Sequence, residues 1–114
     1  MIISLEQITE FFDHNRELFQ EGRMTWNIDG ECRWSFYFVD GSREALVPLA
    51  DHLEAQGYEV VAIEDSEDTT DFFLQVDKVA AFSPSALYEL GLGFDKLAEQ
   101  FNVADYDGMD VGEV

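Results

Sequence analysis

The chain has 114 residues, and 25 Asp and Glu against 6 Lys and Arg give it a net charge of -19 at pH 7. Such a surface repels nucleic-acid phosphates and anionic lipid head groups, and it attracts basic protein segments. Because 46% of the residues are hydrophobic and 14% are aromatic, the chain has the apolar material for a core that acidic disordered segments lack. The composition therefore excludes direct nucleic-acid binding and predicts one folded acidic domain over residues 1–114.

Cysteine usage and the N-terminal sequence predict where the protein acts. Cys32 is the only cysteine, so no disulfide forms within the chain, which fits a reducing cytosol. Residues 1–10 lack the basic and then apolar regions of a secretory signal, and no apolar run approaches the roughly 20 residues of a transmembrane helix. We therefore expect a soluble, cytoplasmic protein that binds no membrane.

Residues 1–22 are predicted to form a helical extension in front of the main fold. Ser4 is a typical helix N-cap, and Gln7 three residues later completes a capping box. Apolar residues then recur at helical spacing until Gly22, a typical C-terminal stop. These apolar residues are Leu5, Ile8, Phe12 and Phe19.

Two runs of alternating apolar and polar residues follow, one over 24–28 and one over 32–38. A loop over residues 29–31 between them would place every apolar side chain on one face of a hairpin. The sequence therefore predicts a strand over 32–38 and allows an extra N-terminal strand over 24–28. The apolar residues are Met24, Trp26, Ile28, Cys32, Trp34, Phe36 and Phe38.

A second helix is predicted between Ser42, its N-cap, and Gly57, where it stops. Pro48 is unfavourable inside it, because proline removes a backbone donor and clashes with the preceding turn. The sequence thus predicts either a distorted first turn or a helix that begins near Val47. The apolar stripe consists of Leu46, Leu49, Ala50 and Leu53.

The C-terminal half is predicted to contain two strands, a third helix and a last strand. The two strands run over 58–63 and 72–79 and are joined by an acidic turn. Ser83 and Pro84 open the third helix, and weak alternation over 106–114 favours a final strand. After the N-terminal helix the order is strand, helix, strand, strand, helix, strand. We therefore expect an α+β fold of the ferredoxin-like βαββαβ type, an antiparallel sheet with two helices on one face.

No pattern of catalytic, cofactor-binding or metal-binding residues stands out. His14 and His52 have no second His or Cys at metal-ligand spacing, and the sequence contains no Gly-rich phosphate loop or serine-elbow motif. A calcium site at Asp105, Asp107 and Asp110 would lack the twelve-residue loop and its terminal Glu. We therefore predict no catalytic residue, no cofactor and no metal ion.

The densest charge lies in the acidic turn between the second and third strands of the main fold. Most such runs keep a hairpin tip solvated. In a protein that binds a basic partner, however, the tip is where the attracting field is strongest, and the C-terminal acidic segment is a second such place. The predicted partner-binding residues are Glu64, Asp65, Glu67, Asp68, Asp71, Asp105, Asp107 and Asp110.

Three short motifs in the C-terminal half resemble those of a known family. They are GYEV at 57–60, LAEQFNV at 97–103 and YDG at 106–108. Their order and spacing, from about Trp34 to Gly108, are similar to those of the type B regulators of ribonuclease E activity. The resemblance implies a ferredoxin-like protein that binds the endonuclease ribonuclease E as an inhibitor, and that alters which transcripts are cut without cutting RNA itself.

Three functional hypotheses follow from the sequence. The first is a non-enzymatic acidic regulator that binds a basic protein surface by charge complementarity, with ribonuclease E as the partner that the resemblance implies. The alternative is an acidic binding or immunity-type module that neutralises another basic protein by mimicking nucleic acid. The third, a small enzyme with paired carboxylates, would need a concave pocket holding an Asp or Glu whose pKa is strongly raised. The sequence leaves the oligomeric state open.

Overall fold

The computed structural model describes residues 3–114, which contain three helices and four strands. In chain order they are α1 (Leu5–Gln20), β1 (Cys32–Asp40), α2 (Arg43–Ala55), β2 (Glu59–Asp65), β3 (Phe72–Ala80), α3 (Pro84–Gln100) and β4 (Asp105–Gly112). Over this described range, none of the helices has the length and apolar content to cross a membrane.

Helix α1 begins in the way that the sequence predicts. The backbone N–H of Gln7 donates to the Ser4 hydroxyl oxygen at 3.1 Å, and the backbone N–H of Ser4 donates to Oε1 of Gln7 at 3.0 Å. This capping box satisfies two backbone donors that have no partner within the helix. Ile8 and Phe12 are buried, whereas Leu5 and Phe19 lie at the surface.

All three helices end next to a residue with positive φ: Gly22 (73°), Gly57 (96°) and Asn102 (56°). This conformation lets the chain turn back so that N–H groups beyond the helix reach its last free carbonyls. After α3, for example, the N–H of Val103 donates to the Ala98 carbonyl at 2.9 Å. The predicted stops at Gly22 and Gly57 are therefore confirmed.

Helix α2 differs from the prediction at its N-terminus. It begins at Arg43 and continues through Pro48, so the predicted start near Val47 is wrong. The Ser42 side chain makes no capping hydrogen bond; instead, the backbone N–H of Ser42 donates to Oδ2 of Asp40 at 2.8 Å. Because Pro48 lies on the exposed side of α2, the helix tolerates the loss of one backbone donor there.

The four strands form one antiparallel sheet in the order β2-β3-β1-β4. β1 lies in the interior of the sheet, where Trp34 is opposite Lys78 of β3 on one side and opposite Val111 of β4 on the other. The predicted α+β class and the antiparallel sheet are confirmed. The predicted strands match the observed ones to within a few residues.

The extra N-terminal strand over 24–28 is wrong. β1 already pairs with β3 along one side and with β4 along the other, so it has no free edge for a hairpin partner. Residues 21–31 form a loop instead. Apolar residues of this loop still contribute to the core: Ile28 is fully buried and Trp26 packs against the core.

The core lies between one face of the sheet and the three helices. Trp34 and Phe36 of β1 are at most 1% exposed. Phe12 of α1 stacks on Trp34 with 6.0 Å between ring centroids, and Phe94 of α3 lies 5.0 Å from Phe36. The buried residues of α2 belong to the same cluster, so all three helices cover this face. The alternate residues of β1, which point to the opposite face, are only half-buried.

Candidate functional site

One end of the sheet collects most of the predicted partner-binding carboxylates. Because neighbouring strands are antiparallel, β1 and β2 end there, and β3 and β4 begin there. The register places Phe72 of β3 between Asp65 of β2 and Asp40 of β1, and it places Val39 opposite Asp105 of β4. We call this region the acidic end; of the predicted residues it contains Glu64, Asp65, Glu67, Asp68, Asp71, Asp105 and Asp107.

Asp110 lies away from the acidic end. It stands opposite Ser35, toward the middle of β1, and its Oδ1 accepts a hydrogen bond from the adjacent Val111 N–H at 2.9 Å. Asp71 and Asp105 are half-buried, whereas the other predicted residues are exposed. The fold thus brings seven of the eight together, and their role in binding stays a prediction.

The carboxylates that β2, β3 and the turn between them contribute to the acidic end are not paired with basic side chains of the described residues. Within residues 3–114, the salt bridges join other residues, and none involves the carboxylates of Glu64, Asp65, Glu67, Asp68 or Asp71. Arg43 lies beside this end, but its Nη1 donates to the Ile63 carbonyl of β2 at 2.7 Å. These carboxylates therefore project a negative field into solvent, which attracts basic partners over long range.

Arg33, on the helix-free face of the sheet, is neutralised by its neighbours. Its Nε donates to Oδ2 of Asp77 at 2.7 Å, and its Nη2 donates to Glu59. Burial by itself raises the pKa of Asp77, but hydrogen bonds from Ser35, Gln75 and Arg33 outweigh burial and lower that pKa below its ordinary value. Asp77 is therefore ionised at neutral pH, and Arg33 adds no unpaired positive charge to this face.

A shallow groove of about 270 Å³ lies on the helix-free face, next to the acidic end. We call it the sheet groove. Two half-exposed rings, Tyr37 and Phe73, lie on the inner strands, and two exposed carboxylates, Glu64 and Asp107, lie on the outer strands. The lining comes from all four strands: Tyr37, Ala62, Glu64, Asp65, Phe73, Gln75 and Asp107.

The YDG motif places Asp107 at the sheet groove. Tyr106 is buried, with its ring 5.3 Å from Phe38, and burial raises the pKa of its phenol. The register then shifts, because Phe38 pairs with Tyr106 but Tyr37 pairs with Gly108, so Asp107 is the extra residue of a bulge. Gly108 has a φ of 124°, a conformation that only glycine adopts without strain. Each residue of the motif thus has a distinct structural role.

Tyr37, Phe73 and Gln75 are not among the residues predicted from the sequence. An available signal was Tyr37 itself, an aromatic residue at an outward position of an alternating strand. Phe73 carried no such signal, since it stands in an apolar run beside Phe72 and Leu74. Gln75 is distinguished only by its contacts: its Nε2 donates to groups on the same face of the sheet.

The other reactive side chains lie in separate places. Among residues 3–114, no group of three His, Cys, Asp or Glu side chains is placed to hold a metal ion. Cys32 is buried, and burial raises the pKa of its thiol, which disfavours a nucleophilic thiolate. His14 is exposed on α1, and the ring of His52 on α2 lies 5.3 Å from Phe101.

The fold and this surface define a small acidic α+β protein in which the described helices cover one face of the sheet. The chain matches the family model described as RraB, regulator of ribonuclease activity B, over residues 12–111, most of its length. It therefore belongs to the RraB family, whose members regulate ribonuclease activity, and the resemblance of the sequence motifs is confirmed. No curated protein matches the chain significantly.

Proposed function

We propose that this protein is a non-enzymatic, cytoplasmic regulator that binds a basic surface of ribonuclease E and thereby modulates RNA degradation. Membership of the RraB family supports the regulation of a ribonuclease. The observation that carries the proposal is the acidic end, where carboxylates from the β2–β3 hairpin and from β4 lie together. A basic segment of the nuclease is the partner that complements this surface.

In the proposed mechanism the protein occupies an RNA-binding segment of the nuclease, and its negative charge guides it there. Segments of a nuclease that hold RNA are rich in basic side chains, because they must neutralise phosphates. An acidic protein docked on or beside such a segment competes with RNA for it. Contacts of this kind mainly raise the association rate, and salt weakens them, since the screening length falls to about 10 Å at 0.1 M ionic strength.

The ferredoxin-like arrangement belongs to the same proposal. The βαββαβ order of elements after α1 and the strand order β2-β3-β1-β4 support it. In this interpretation α1 is an addition that packs against α3 on the covered face. The helix-free face and the acidic end are then the surfaces left for a partner.

The proposal is tested by measuring the association and dissociation rates of this protein with ribonuclease E at increasing salt. Reversing four charges at the acidic end is expected to slow association at least about tenfold at low salt, because it removes the steering field. Dissociation should change less. The variant carries Glu64→Lys, Asp65→Lys, Glu67→Lys and Asp68→Lys.

A matched control carries the same net charge but keeps the acidic end intact. Its four changes, Glu10→Lys, Glu17→Lys, Glu31→Lys and Glu89→Lys, are at exposed positions on α1, before β1 and on the N-terminal half of α3. We expect the control to associate much faster than the acidic-end variant. Equal loss in both would show that net charge alone matters. No binding of the unmodified protein at low ionic strength would exclude ribonuclease E, and capture of a basic toxin instead would favour the immunity-type alternative.

A further inference from the structure

We infer that the sheet groove receives arginine side chains of an extended partner segment and selects arginine over lysine at equal charge. The inference rests on the proposed function, because it names the chemistry of the segment that the acidic protein binds. The occupant is an arginine-containing stretch of a partner protein.

The two rings are the first reason. Tyr37 and Phe73 are half-exposed on the inner strands β1 and β3, on the face that no described helix covers. A guanidinium group is planar and weakly hydrated, so it stacks on aromatic faces, whereas an ammonium group holds its water more strongly. Partly exposed rings inside a negative field therefore favour arginine.

The two flanking carboxylates are the second reason. Glu64 on β2 and Asp107 on β4 are exposed and lie on opposite sides of the rings. Neighbouring strands are about 4.8 Å apart, so the outer strands are separated by about 14 Å. In an extended segment, side chains four residues apart point the same way and are about 13 Å apart. A segment that crosses the strands and carries two such arginines places one guanidinium near each carboxylate.

The shape and the remaining polar groups of the sheet groove fit the same occupant. The outer-strand neighbour of Gln75 is Ala62, whose small side chain lines the sheet groove. Nε2 of Gln75 donates to Ser35 at 3.3 Å and to Asp77 at 3.0 Å. The amide donors of Gln75 are thus used within the sheet, and its side-chain oxygen is left to accept from a guanidinium.

The protein's own arginine on this face does not fill the sheet groove. Arg33 is held by Asp77 and Glu59, farther along the strands. The guanidinium group of Arg33 is therefore not available to the sheet groove, and we assign the one that binds there to a partner protein. The cation already present on the face does not compete with it.

The test uses two labelled peptides that are identical except for two basic residues, four positions apart, which are both arginine or both lysine. Titration of the full-length protein at low salt is expected to give at least about threefold tighter binding of the arginine peptide, because a guanidinium group stacks on the rings better than an ammonium group does. The double variant Tyr37→Leu, Phe73→Leu should bind both peptides equally. Tyr37→Phe keeps the ring and should keep the preference.

The matched control is the double variant Phe11→Leu, Phe19→Leu. Both of these rings lie on α1 and are 40% exposed, so the control removes two exposed aromatic rings away from the sheet groove. It should keep the arginine preference. Thermal unfolding of every variant establishes that the fold is intact before binding is compared.

Equal affinity for the two peptides, no binding of either at low salt, or a preference that survives Tyr37→Leu, Phe73→Leu would each overturn the inference. The failure of the proposed function looks different. If ribonuclease E does not bind while the arginine preference is present and depends on the rings, the proposed partner is wrong but the inference about the sheet groove is confirmed. If the nuclease binds through the acidic end while the peptides are not distinguished, only the inference fails.

Discussion

Arg33 donates a 2.7 Å hydrogen bond from its Nε to Oδ2 of Asp77, diagonally across β1 and β3 on the helix-free face. Asp77 is only 5% exposed, although no described helix covers this face, because polar side chains surround it. One of them, Gln75, lines the sheet groove. The ion pair therefore holds two inner strands together and also fixes one residue of the candidate site.

Asp77→Asn is expected to destabilise the protein at pH 7 by about 1–3 kcal/mol, because it removes a buried ionised acceptor that binds Arg33 and Gln75. The folded-state pKa of Asp77 is lowered below its ordinary value. Its contribution is thus present above an unfolded-state pKa of about 3.9 and is lost as the pH falls through the folded-state pKa. Urea unfolding of both proteins between pH 7 and pH 2 measures the difference.

The difference between the unmodified protein and Asp77→Asn should therefore shrink as the pH falls below about 4. A difference that stays constant down to pH 2 would show that Asp77 does not act through its charge. Because Arg33 also contacts Glu59, the variant keeps one ion pair and is expected to fold.

Asp40→Ala is expected to destabilise the fold by about 1–3 kcal/mol, because it leaves two backbone donors without their acceptor. Oδ2 of Asp40 accepts from the Ser42 N–H, and Oδ1 accepts from the Ala104 N–H, both at 2.8 Å. One side chain thus joins the β1–α2 turn to the segment before β4. The change in free energy of unfolding in urea checks the effect.

Asp51→Ala is the control for Asp40→Ala, since Asp51 is exposed on α2 and the same charge is removed. Its free energy of unfolding should change by less than about 0.5 kcal/mol, as is usual for exposed positions. Similar losses in the two variants would mean that general charge, and not the pair of hydrogen bonds, explains the result.

Gly93→Ala is expected to stabilise the protein by about 0.5–1 kcal/mol, since alanine restricts the unfolded chain and favours helix. A Cβ at Gly93, inside α3, would have no atom within 4 Å. The midpoint of thermal unfolding should rise. Gly91→Ala is a comparison in the same helix, where the new Cβ would lie 3.8 Å from Cε2 of Tyr106, an ordinary contact that should not cancel the gain.

Local patterns predicted the parts of the fold that depend on local physics. The alternation in β1 identified its buried face correctly, because side chains of a strand alternate between faces. The Ser4 capping box was predicted because it involves residues only three positions apart. The extra strand over 24–28 was wrong for the opposite reason: which edges of β1 are occupied depends on β3 and β4, far along the chain.

The candidate site also combines features that depend on local sequence with features that depend on distant strands. The carboxylates of the hairpin were predicted from a local charge run, but their meeting with Asp105 and Asp107 depends on the strand order. Tyr37 and Phe73 are brought together by the register of two strands separated by a helix and a third strand. No pattern within either strand encodes that register. The rings of the sheet groove therefore became visible only in the folded chain.

Asn102 provides a final prediction, because its φ of 56° is unusual for any residue with a side chain. Asn102→Gly is expected to stabilise the protein by up to about 1 kcal/mol, and Asn102→Ala is expected to destabilise it by about 1 kcal/mol, since alanine tolerates this conformation less well than asparagine. Urea midpoints of the two variants give the comparison. Gln100→Ala, in the last turn of α3, changes an exposed residue within the helix and should be nearly neutral. If Asn102→Ala were as stable as Asn102→Gly, the left-handed turn would not be what ends α3.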